Sequence, residues 1–279
     1  MQSSRHEQSP AAGGGLERAA FGRNRLILLS RLTRRLIEWR GGYRAAQVLI
    51  GLLGGVTPVE AEVLGLRMWL DPRDYACRML LYYPQLYEPA ERAALLPQIR
   101  PEDVVIDVGA HFGFYSLLAS KRAASVLSIE ADPKTFRYLE RNLAMNRAAN
   151  VRAVQAGVSD RRERLKLFGN DALGDLSGHS FVPGDGRNDA VEVQCFPLID
   201  IMKAQGFDHC DVLKIDVEGF EYRVLKPLFE QAAFRPRLVL VEYYEQRNTG
   251  DVLTLLRNQG YQLSLQTGRD YLFALAESQ

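Results

Sequence analysis

The chain has 279 residues, of which 47% are hydrophobic and 25% are charged, as in ordinary soluble globular proteins that bury a full core. Its formal net charge of +1 predicts no nucleic-acid partner, because such partners call for a strongly basic surface. Cys77, Cys195 and Cys210 show no C-x-x-C or Cys/His ligand spacing, which argues against a disulfide or zinc framework and predicts a reducing cytoplasmic location.

The N-terminal region divides into a tail and a basic helical extension. Residues 1–15 are polar and lack apolar periodicity, so we predict a disordered tail. Over residues 1–55 nine arginines oppose three glutamates, a balance of +6 that leaves −5 for the remaining chain. Residues 16–55 are predicted to form an amphipathic extension, and no signal peptide or bilayer-spanning segment is expected. Its apolar stripe consists of Leu29, Leu32, Leu36, Trp39 and Tyr43.

Two interpretations of this extension remain open. A basic amphipathic helix either packs on the rest of the protein or on a second copy of the chain, or it adheres to an anionic membrane surface as a peripheral contact. Residues 56–100 follow as a preamble that is expected to cap the pocket. This preamble contains a strand or hairpin arm at 64–70, a helix at 74–83 and a second helix opened by Pro89.

Residues 103–133 are the centre of the predicted fold. The apolar run 104–108 has the β-branched composition of a buried parallel strand, and residues 114–121 have helical spacing. A second run, 126–129, ends in the acid Glu130. The order strand, glycine turn, helix, strand and acid is typical of a βαβ unit that binds a nucleoside cofactor.

The glycine pattern of the turn distinguishes two cofactors. A dinucleotide site needs G-x-G-x-x-G, whereas Asp107, Gly109 and Gly113 give the D-x-G-x-x-x-G form typical of S-adenosylmethionine (SAM) sites. Glu130, at the end of the neighbouring strand, is able to accept hydrogen bonds from both ribose hydroxyls. The pattern therefore favours SAM over NAD, and a third interpretation is that the glycines serve only packing.

The later residues continue the alternation of strands and helices. Helical spacing at 134–146 and a strand at 151–158 complete one half, and short strands at 164–168 and 191–196 flank a polar loop of residues 169–190. The second half is predicted as a helix at 198–205, a strand at 211–215, a helix at 220–234, a strand at 238–241, a helix at 251–258, and strands at 261–266 and 271–276. That last hairpin leaves one strand antiparallel in an otherwise parallel α/β sheet.

A second chemical stretch, K-I-D-V-E-G-F-E, begins at Lys214. It places Asp216, Glu218 and Glu221 at the carboxyl end of a strand, where open α/β sheets bind their ligands. The alternative is structural, with Asp216 capping the next helix and the two glutamates complementing its dipole.

These stretches together resemble the FkbM family of SAM-dependent methyltransferases, over roughly residues 60–245. The matching sequences are IDVGAHFGFYSLLA at 106–119, IEADPKTFRYLERNLAMN at 129–146, LKIDVEGFEYRVLK at 213–226 and LVLVE at 238–242. The resemblance implies a class I methyltransferase (Rossmann-like) domain over residues 101–279, with a mostly parallel seven-stranded sheet and a C-terminal antiparallel strand. His111 departs from the pattern, since the family usually has Asn there.

The resemblance also implies site residues and an activity. Asp107, Gly109, Gly113 and Glu130 carry over as cofactor-site residues, and we place Ala110 of the same turn with them. Asp216, Glu218 and Glu221 carry over only as signature residues. The family's activity implies O-methylation of a hydroxyl on a glycan, sugar or secondary metabolite.

Catalysis requires removal of the acceptor's proton, by a general base or through a divalent ion. The candidate catalytic residues are Asp216, Glu218, Glu242 and His179. Asp216 and Glu242 end neighbouring strands and are also candidate ligands for magnesium or manganese, by analogy with catechol-type O-methyltransferases. The rival functions are an NAD-dependent sugar-nucleotide oxidoreductase and a catalytically silent SAM-binding module.

Overall fold

The structure is a computed structural model that describes residues 57–170, 175–183 and 189–276, and a few single residues between 28 and 49. The predicted tail of residues 1–15 and most of the extension at 16–55 lie outside the described residues. Among the described residues, no helix has the length and apolar character needed to cross a bilayer.

The described residues alternate strands and helices from the preamble to the C-terminal hairpin. The strands are β1 Val59–Val63, β2 Leu66–Leu70, β3 Val104–Val108, β4 Ser125–Glu130, β5 Val151–Gln155, β6 Gly157–Val158, β7 Glu163–Asn170, β8 Asp175–Ser180, β9 Asp189–Phe196, β10 Val212–Ile215, β11 Leu238–Glu242, β12 Tyr261–Thr267 and β13 Asp270–Leu275. The α-helices are α1 Tyr75–Tyr82, α2 Pro89–Leu95, α3 Phe114–Ser120, α4 Pro133–Asn146, α5 Leu198–Ala204, α6 Glu221–Gln231 and α7 Val252–Asn258.

The main sheet has seven strands in the order β12-β13-β11-β10-β3-β4-β5. From β11 to β5 every neighbouring pair is parallel, whereas β13 is antiparallel to both β11 and β12. The predicted class I sheet with one antiparallel strand is therefore confirmed. Because the carboxyl ends of β3, β4, β10 and β11 meet at one edge, the residues that follow these strands lie together.

Helices cover both faces of this sheet, which explains the nearly continuous apolar runs of its central strands. Val105 and Leu240 pack into a core with the preamble and α3, while Ile106 and Val239 pack into a second core with α5, α6 and α7. Successive residues of a strand point to opposite faces, so a strand between two helical layers needs apolar side chains at every position.

A second sheet of four strands, in the order β6-β9-β7-β8, departs from the predictions. The predicted strand at 151–158 divides at Ala156, because β5 joins the main sheet while β6 pairs with β9. Gly157 permits this change of sheet, since a Cβ there would lie 2.4 Å from Cys195 Sγ. The predicted loop at 169–190 contains β8, which pairs with β7 although its sequence has little β-propensity.

Two asparagines of α4 tie the preamble to the main domain. Asn142, which is fully buried, accepts a hydrogen bond from Trp69 N at 2.6 Å and donates to Phe112 O at 2.9 Å. Asn146 accepts from Arg67 N at 3.0 Å. The side chains of Asn142 and Asn146 thus hydrogen-bond with backbone groups of β2 that have no partner strand. The amide group of Asn142 also holds the glycine turn to the preamble.

The few described residues of the extension correct its predicted stripe. Leu29 and Thr33 are helical and only 4% and 0% exposed, whereas Leu28 and Leu32 are 69% and 46% exposed. Positions four apart share a helix face, so Leu29 and Thr33 mark the packed face, and the exposure of Leu32 places it at the margin of that face. The prediction that Leu32 shares the stripe of Leu29 is wrong.

Candidate active site

A cavity of about 340 Å³ opens at the carboxyl edge of the main sheet, a volume within the range of small-molecule sites. It is lined by six predicted site residues: Gly109, Glu130, His179, Asp216, Glu218 and Glu242. Asp107, Ala110 and Gly113 do not line it. The predicted catalytic residues are thus brought to one place, while the predicted cofactor residues divide into two groups.

The glycine turn uses its own backbone amides internally. The N–H groups of Gly109 and Ala110 both donate to Ile129 O, at 2.9 and 3.0 Å, and Gly113 N donates to Ala110 O at 2.8 Å. His111 N donates to Glu130 Oε2 at 2.8 Å. A pyrophosphate needs such amides free at the helix N-terminus, so this turn is poorly suited to a dinucleotide.

The two glycines of the motif are required by packing inside the protein. A Cβ on Gly109 would lie 1.8 Å from the carbonyl oxygen of Asp216, and a Cβ on Gly113 would lie 2.6 Å from Leu139 Cδ1. Both residues also have positive φ angles, of 78° and 89°. The structure therefore supplies a packing reason for each glycine, and their contact with a cofactor stays a prediction.

Glu130 is held as an acceptor at the wall of the cavity. Its Oε2 accepts from His111 N and its Oε1 accepts from Asp132 N, both at 2.8 Å. Burial raises the pKa of this carboxyl, while the charge of His111 and these amides oppose the rise. Each carboxylate oxygen is able to accept a second hydrogen bond. The residue therefore fits the two ribose hydroxyls of SAM.

Asp107 lies behind the cavity and is 1% exposed. Its Oδ2 accepts from Ser116 Oγ at 2.6 Å, and its Oδ1 lies 3.9 Å from Lys214 Nζ. Burial raises the pKa of Asp107, and the Lys214 ammonium opposes that rise. In this structure the side chain contacts Ser116 and Lys214 rather than the cavity. Ala110 is likewise buried, within the core of the preamble side.

Asp216 and Glu242 form a hydrogen-bonded carboxyl pair inside the cavity. Burial and the charge of Asp216 raise the pKa of Glu242 well above its usual range. The pKa of Asp216 is lowered: burial acts to raise it, but Lys214, at 3.3 Å, and the Glu242 hydrogen bond lower it by more. Tyr244 OH donates to Glu242 Oε1 at 2.9 Å. The pair thus holds one proton and one negative charge.

Two further acids next to this pair were missed in the sequence. Glu88 precedes Pro89, has a φ of 45°, and lines the cavity opposite the strand ends. Asp270 pairs with Glu242 in the β11–β13 register, and burial and the charge of Glu88 raise the pKa of Asp270 to about 7. The unusual Glu-Pro turn after Tyr87 is the one signal that pointed to Glu88.

Two acids of the second stretch make contacts that stabilise the structure. Glu221 is fully buried, and its Oε1 accepts from Gly219 N at 3.0 Å, so it stabilises the loop before α6. Glu218 pairs with Arg247. Asp216 does not cap α6, because Phe220 occupies that position and no side chain caps it. The Asp216 side chain therefore faces the cavity.

The cavity has a lining rich in acids. Five of its lining residues are acids and none is lysine or arginine among the described residues; the acids are Glu88, Glu130, Asp216, Glu218 and Glu242. Part of this charge is balanced, because Glu242 is protonated, Asp216 and Glu218 pair with Lys214 and Arg247, and His111 also lines the cavity. A preference for the sulfonium of SAM over the pyrophosphate of NAD stays a prediction.

No group of three or more His, Cys, Asp or Glu with the arrangement of a metal site occurs in the part of the chain that the structure describes. Asp216 and Glu242, the predicted metal ligands, are hydrogen-bonded to each other. A metal at this place stays a prediction.

Comparison with known proteins identifies the family of the chain. Residues 107–263 match the family described as Methyltransferase FkbM domain. The chain is 29% identical over 196 residues to Methyltransferase sdnD of Sordaria araneosa, covering 57% of this chain and 74% of that protein. It is 30% identical over 210 residues to 31-O-demethyl-FK506 methyltransferase FkbM of Streptomyces tacrolimicus, covering 64% and 80%.

Among solved structures, Methyltransferase FkbM from Methylobacillus flagellatus superimposes with a TM-score of 0.46 at 20% identity. That match covers 71% of this chain and 52% of the crystallised one, so the chain spans about half of that protein. The family match extends from the glycine turn through the carboxyl pair to β12. The chain belongs to the FkbM family of SAM-dependent methyltransferases.

Proposed function

We propose that this protein transfers a methyl group from SAM to a hydroxyl group of a glycan, a sugar or a secondary metabolite. The observation that carries the proposal is the Asp216–Glu242 pair, which lies in the same cavity as Glu130. An alcohol gives up its proton reluctantly, so O-methylation needs a proton acceptor beside the methyl donor, and the pair supplies one.

Each side chain has a distinct part in this mechanism. Bound SAM supplies the activated methyl group, and Glu130 would hold its ribose. Asp216, kept ionised by Lys214, accepts the hydroxyl proton of the acceptor as the oxygen is methylated. Glu242, which is protonated and held by Tyr244, donates to Asp216 and keeps it oriented.

Two other routes for the proton are tested in the same experiment. His179 also lines the cavity and is the alternative base, and a magnesium or manganese ion held by Asp216 and Glu242 would polarise the hydroxyl. Turnover is measured with EDTA and with added metal, alongside Asp216→Asn, Glu242→Gln and His179→Ala. We expect chelator-insensitive turnover that falls by about 10²–10⁴ in Asp216→Asn while SAM still binds. Loss with EDTA that metal restores selects the metal route.

The acceptor itself is identified by comparing metabolites of a strain that lacks the gene with those of its parent. We expect a glycan or metabolite lighter by one methylene group, which the purified protein and SAM convert to the parental species. If the protein binds SAM and no such species is found among hydroxylated compounds, O-methylation is wrong although the family assignment stands. If Asp216→Asn, Glu242→Gln and His179→Ala all turn over at the wild-type rate, the assignment of this site is wrong.

A further inference from the structure

A second cavity, of about 440 Å³, lies directly beside the first, and Tyr244 lines both. It is formed by the loop after β11, by α7 and by the turn between β12 and β13. The Tyr244 hydroxyl reaches Glu242 in the first cavity. One tyrosine side chain therefore separates the second cavity from the carboxyl pair.

The two cavities differ in the charged residues that line them. The second cavity is lined by three arginines, Arg247, Arg257 and Arg269, and by two acids, Glu245 and Asp251. The first cavity has five acids and neither lysine nor arginine within the described residues. The arginines of the second cavity are thus the lining residues that attract an anionic group of an acceptor.

Arg247 and Asp251, which line the second cavity, already have partners within the protein. Arg247 pairs with Glu218. Asp251 caps α7, accepting from Thr254 N at 2.9 Å and from Thr254 Oγ1 at 2.6 Å. Glu245 is exposed. Arg257 lies close enough to Asp251 to interact with its charge, and Arg269 hydrogen-bonds to Tyr244. Neither of these two arginines has a carboxylate within 4.0 Å among the described residues, and both are exposed.

The aromatic ring fixes the position of one of these two guanidinium groups. Arg269 lies over the ring of Tyr244, 4.2 Å from its centroid, and Arg247 lies over the same ring at 4.5 Å. A guanidinium held against an aromatic ring keeps its N–H groups available for an oxyanion, with less side-chain freedom to lose on binding.

We propose that the second cavity is an oxyanion subsite for the acceptor, in which Arg257 and Arg269 bind a phosphate or carboxylate group of the molecule to be methylated. The inference rests on the proposed function, because it places the acceptor's hydroxyl at Asp216 and its anionic group beyond Tyr244. It narrows the acceptor class to sugars or metabolites that carry an acidic group.

The test is a titration of the full-length ¹⁵N-labelled protein with sodium phosphate and, separately, with sodium acetate at constant ionic strength, followed by NMR. We expect saturable shifts of the amides of residues 268–270, with affinity reduced about tenfold by Arg257→Gln and by Arg269→Gln, as for the loss of one charge-assisted contact. Arg141→Gln is the matched control, because Arg141 also lies over an aromatic ring, Trp69, at 3.5 Å. If only phosphate saturates the subsite, the acceptor is phosphorylated. If acetate also saturates it, the subsite binds carboxylates as well.

The subsite is wrong if neither anion gives saturable shifts, or if the shifts are the same in both variants and in Arg141→Gln. Calorimetry with SAM on the same proteins separates this failure from failure of the proposed function. We expect all three variants to bind SAM as the wild type does. A wild-type protein that binds phosphate at this place but not SAM would contradict the proposed function and leave the anion site standing.

Discussion

His111 is the residue that departs from the family pattern, and the structure shows what it contacts. Its φ is 53°, and its Nε2 lies 3.4 Å from Oδ2 of the fully buried Asp74, the N-cap of α1. Burial lowers the pKa of His111, but the Asp74 carboxylate outweighs this and raises it to about 9. A charged histidine therefore joins the preamble to the cofactor turn at neutral pH.

His111→Asn should remove this ion pair while keeping the backbone, since asparagine tolerates positive φ. The folded-state pKa of His111 is raised, so its stabilisation is complete below about pH 6.5 and disappears as the pH rises through about 9. We expect the variant to be less stable by about 1–3 kcal/mol at pH 6 and equal to the wild type at pH 10. Urea unfolding at both pH values measures this.

The matched control is His209→Asn, which removes contacts to Asp208, whose side chain is 94% exposed, and to Asp211, whose side chain is 34% exposed. We expect it to change the free energy of unfolding much less than His111→Asn does at pH 6, because exposed ion pairs contribute little. A cost of His111→Asn that is the same at pH 6 and pH 10 would show that His111 acts by packing alone.

The sequence alone located some of the residues that line the candidate site. Gly109, Glu130, Asp216 and Glu242 were found because each follows a recognisable strand, and strand ends meet at one edge. Glu88, Tyr244 and Asp270 were missed, since they lie on turns and at a hairpin where no periodicity shows which side chain points inward.

Among the elements, the contact between the glycine turn and the end of β10 is the most constrained. Gly109→Ala places a methyl group 1.8 Å from the backbone carbonyl oxygen of Asp216, at a φ of 78°. We expect a loss of more than about 3 kcal/mol, measured by urea unfolding. Gly268→Ala is the control, because φ there is 57° and no atom lies within 4 Å.

The control should lose only about 1 kcal/mol, which is the cost of the backbone conformation without the clash. Equal losses for the two variants would mean that the turn yields to the added methyl group, and that packing does not explain the glycine.

The boundaries of helices and strands were predicted well where the local sequence determines them. The helices and parallel strands were predicted because apolar periodicity and caps such as Asp74 and Asp251 are local signals. The division of the third strand at Ala156 and the pairing of β8 depend on β9 and β7, which are distant in sequence. Non-local pairing of this kind leaves little mark on composition.

For the molecule as a whole, contact with a membrane through the extension stays a prediction. Leu28 and Leu32 are exposed, and so are Arg31 and Arg35 of the same helical segment. We expect the full-length protein to sediment with phosphatidylserine vesicles at low salt, and to be released as salt rises, since each surface arginine adds about 1 kcal/mol.

Arg31→Glu with Arg35→Glu should reduce this sedimentation strongly. Arg137→Glu with Arg141→Glu is the control, because these two exposed arginines have the same spacing on α4. If neither pair matters, or the wild type stays in solution, the extension serves only to pack on the protein.

We propose that the acid-rich cavity at the carboxyl edge of the sheet binds SAM and favours its sulfonium over a pyrophosphate. The direct measurement is calorimetric binding of SAM, of S-adenosylhomocysteine and of NAD to the wild type, to Glu130→Gln and to Asp216→Asn. S-adenosylhomocysteine has the same ribose as SAM but lacks the sulfonium charge. We predict no NAD binding, equal losses of about 1.5–3 kcal/mol for both adenosyl ligands in Glu130→Gln, and a loss in Asp216→Asn that is at least about 1 kcal/mol greater for SAM. Binding of NAD without SAM, or equal losses of SAM and S-adenosylhomocysteine in Asp216→Asn, would contradict it.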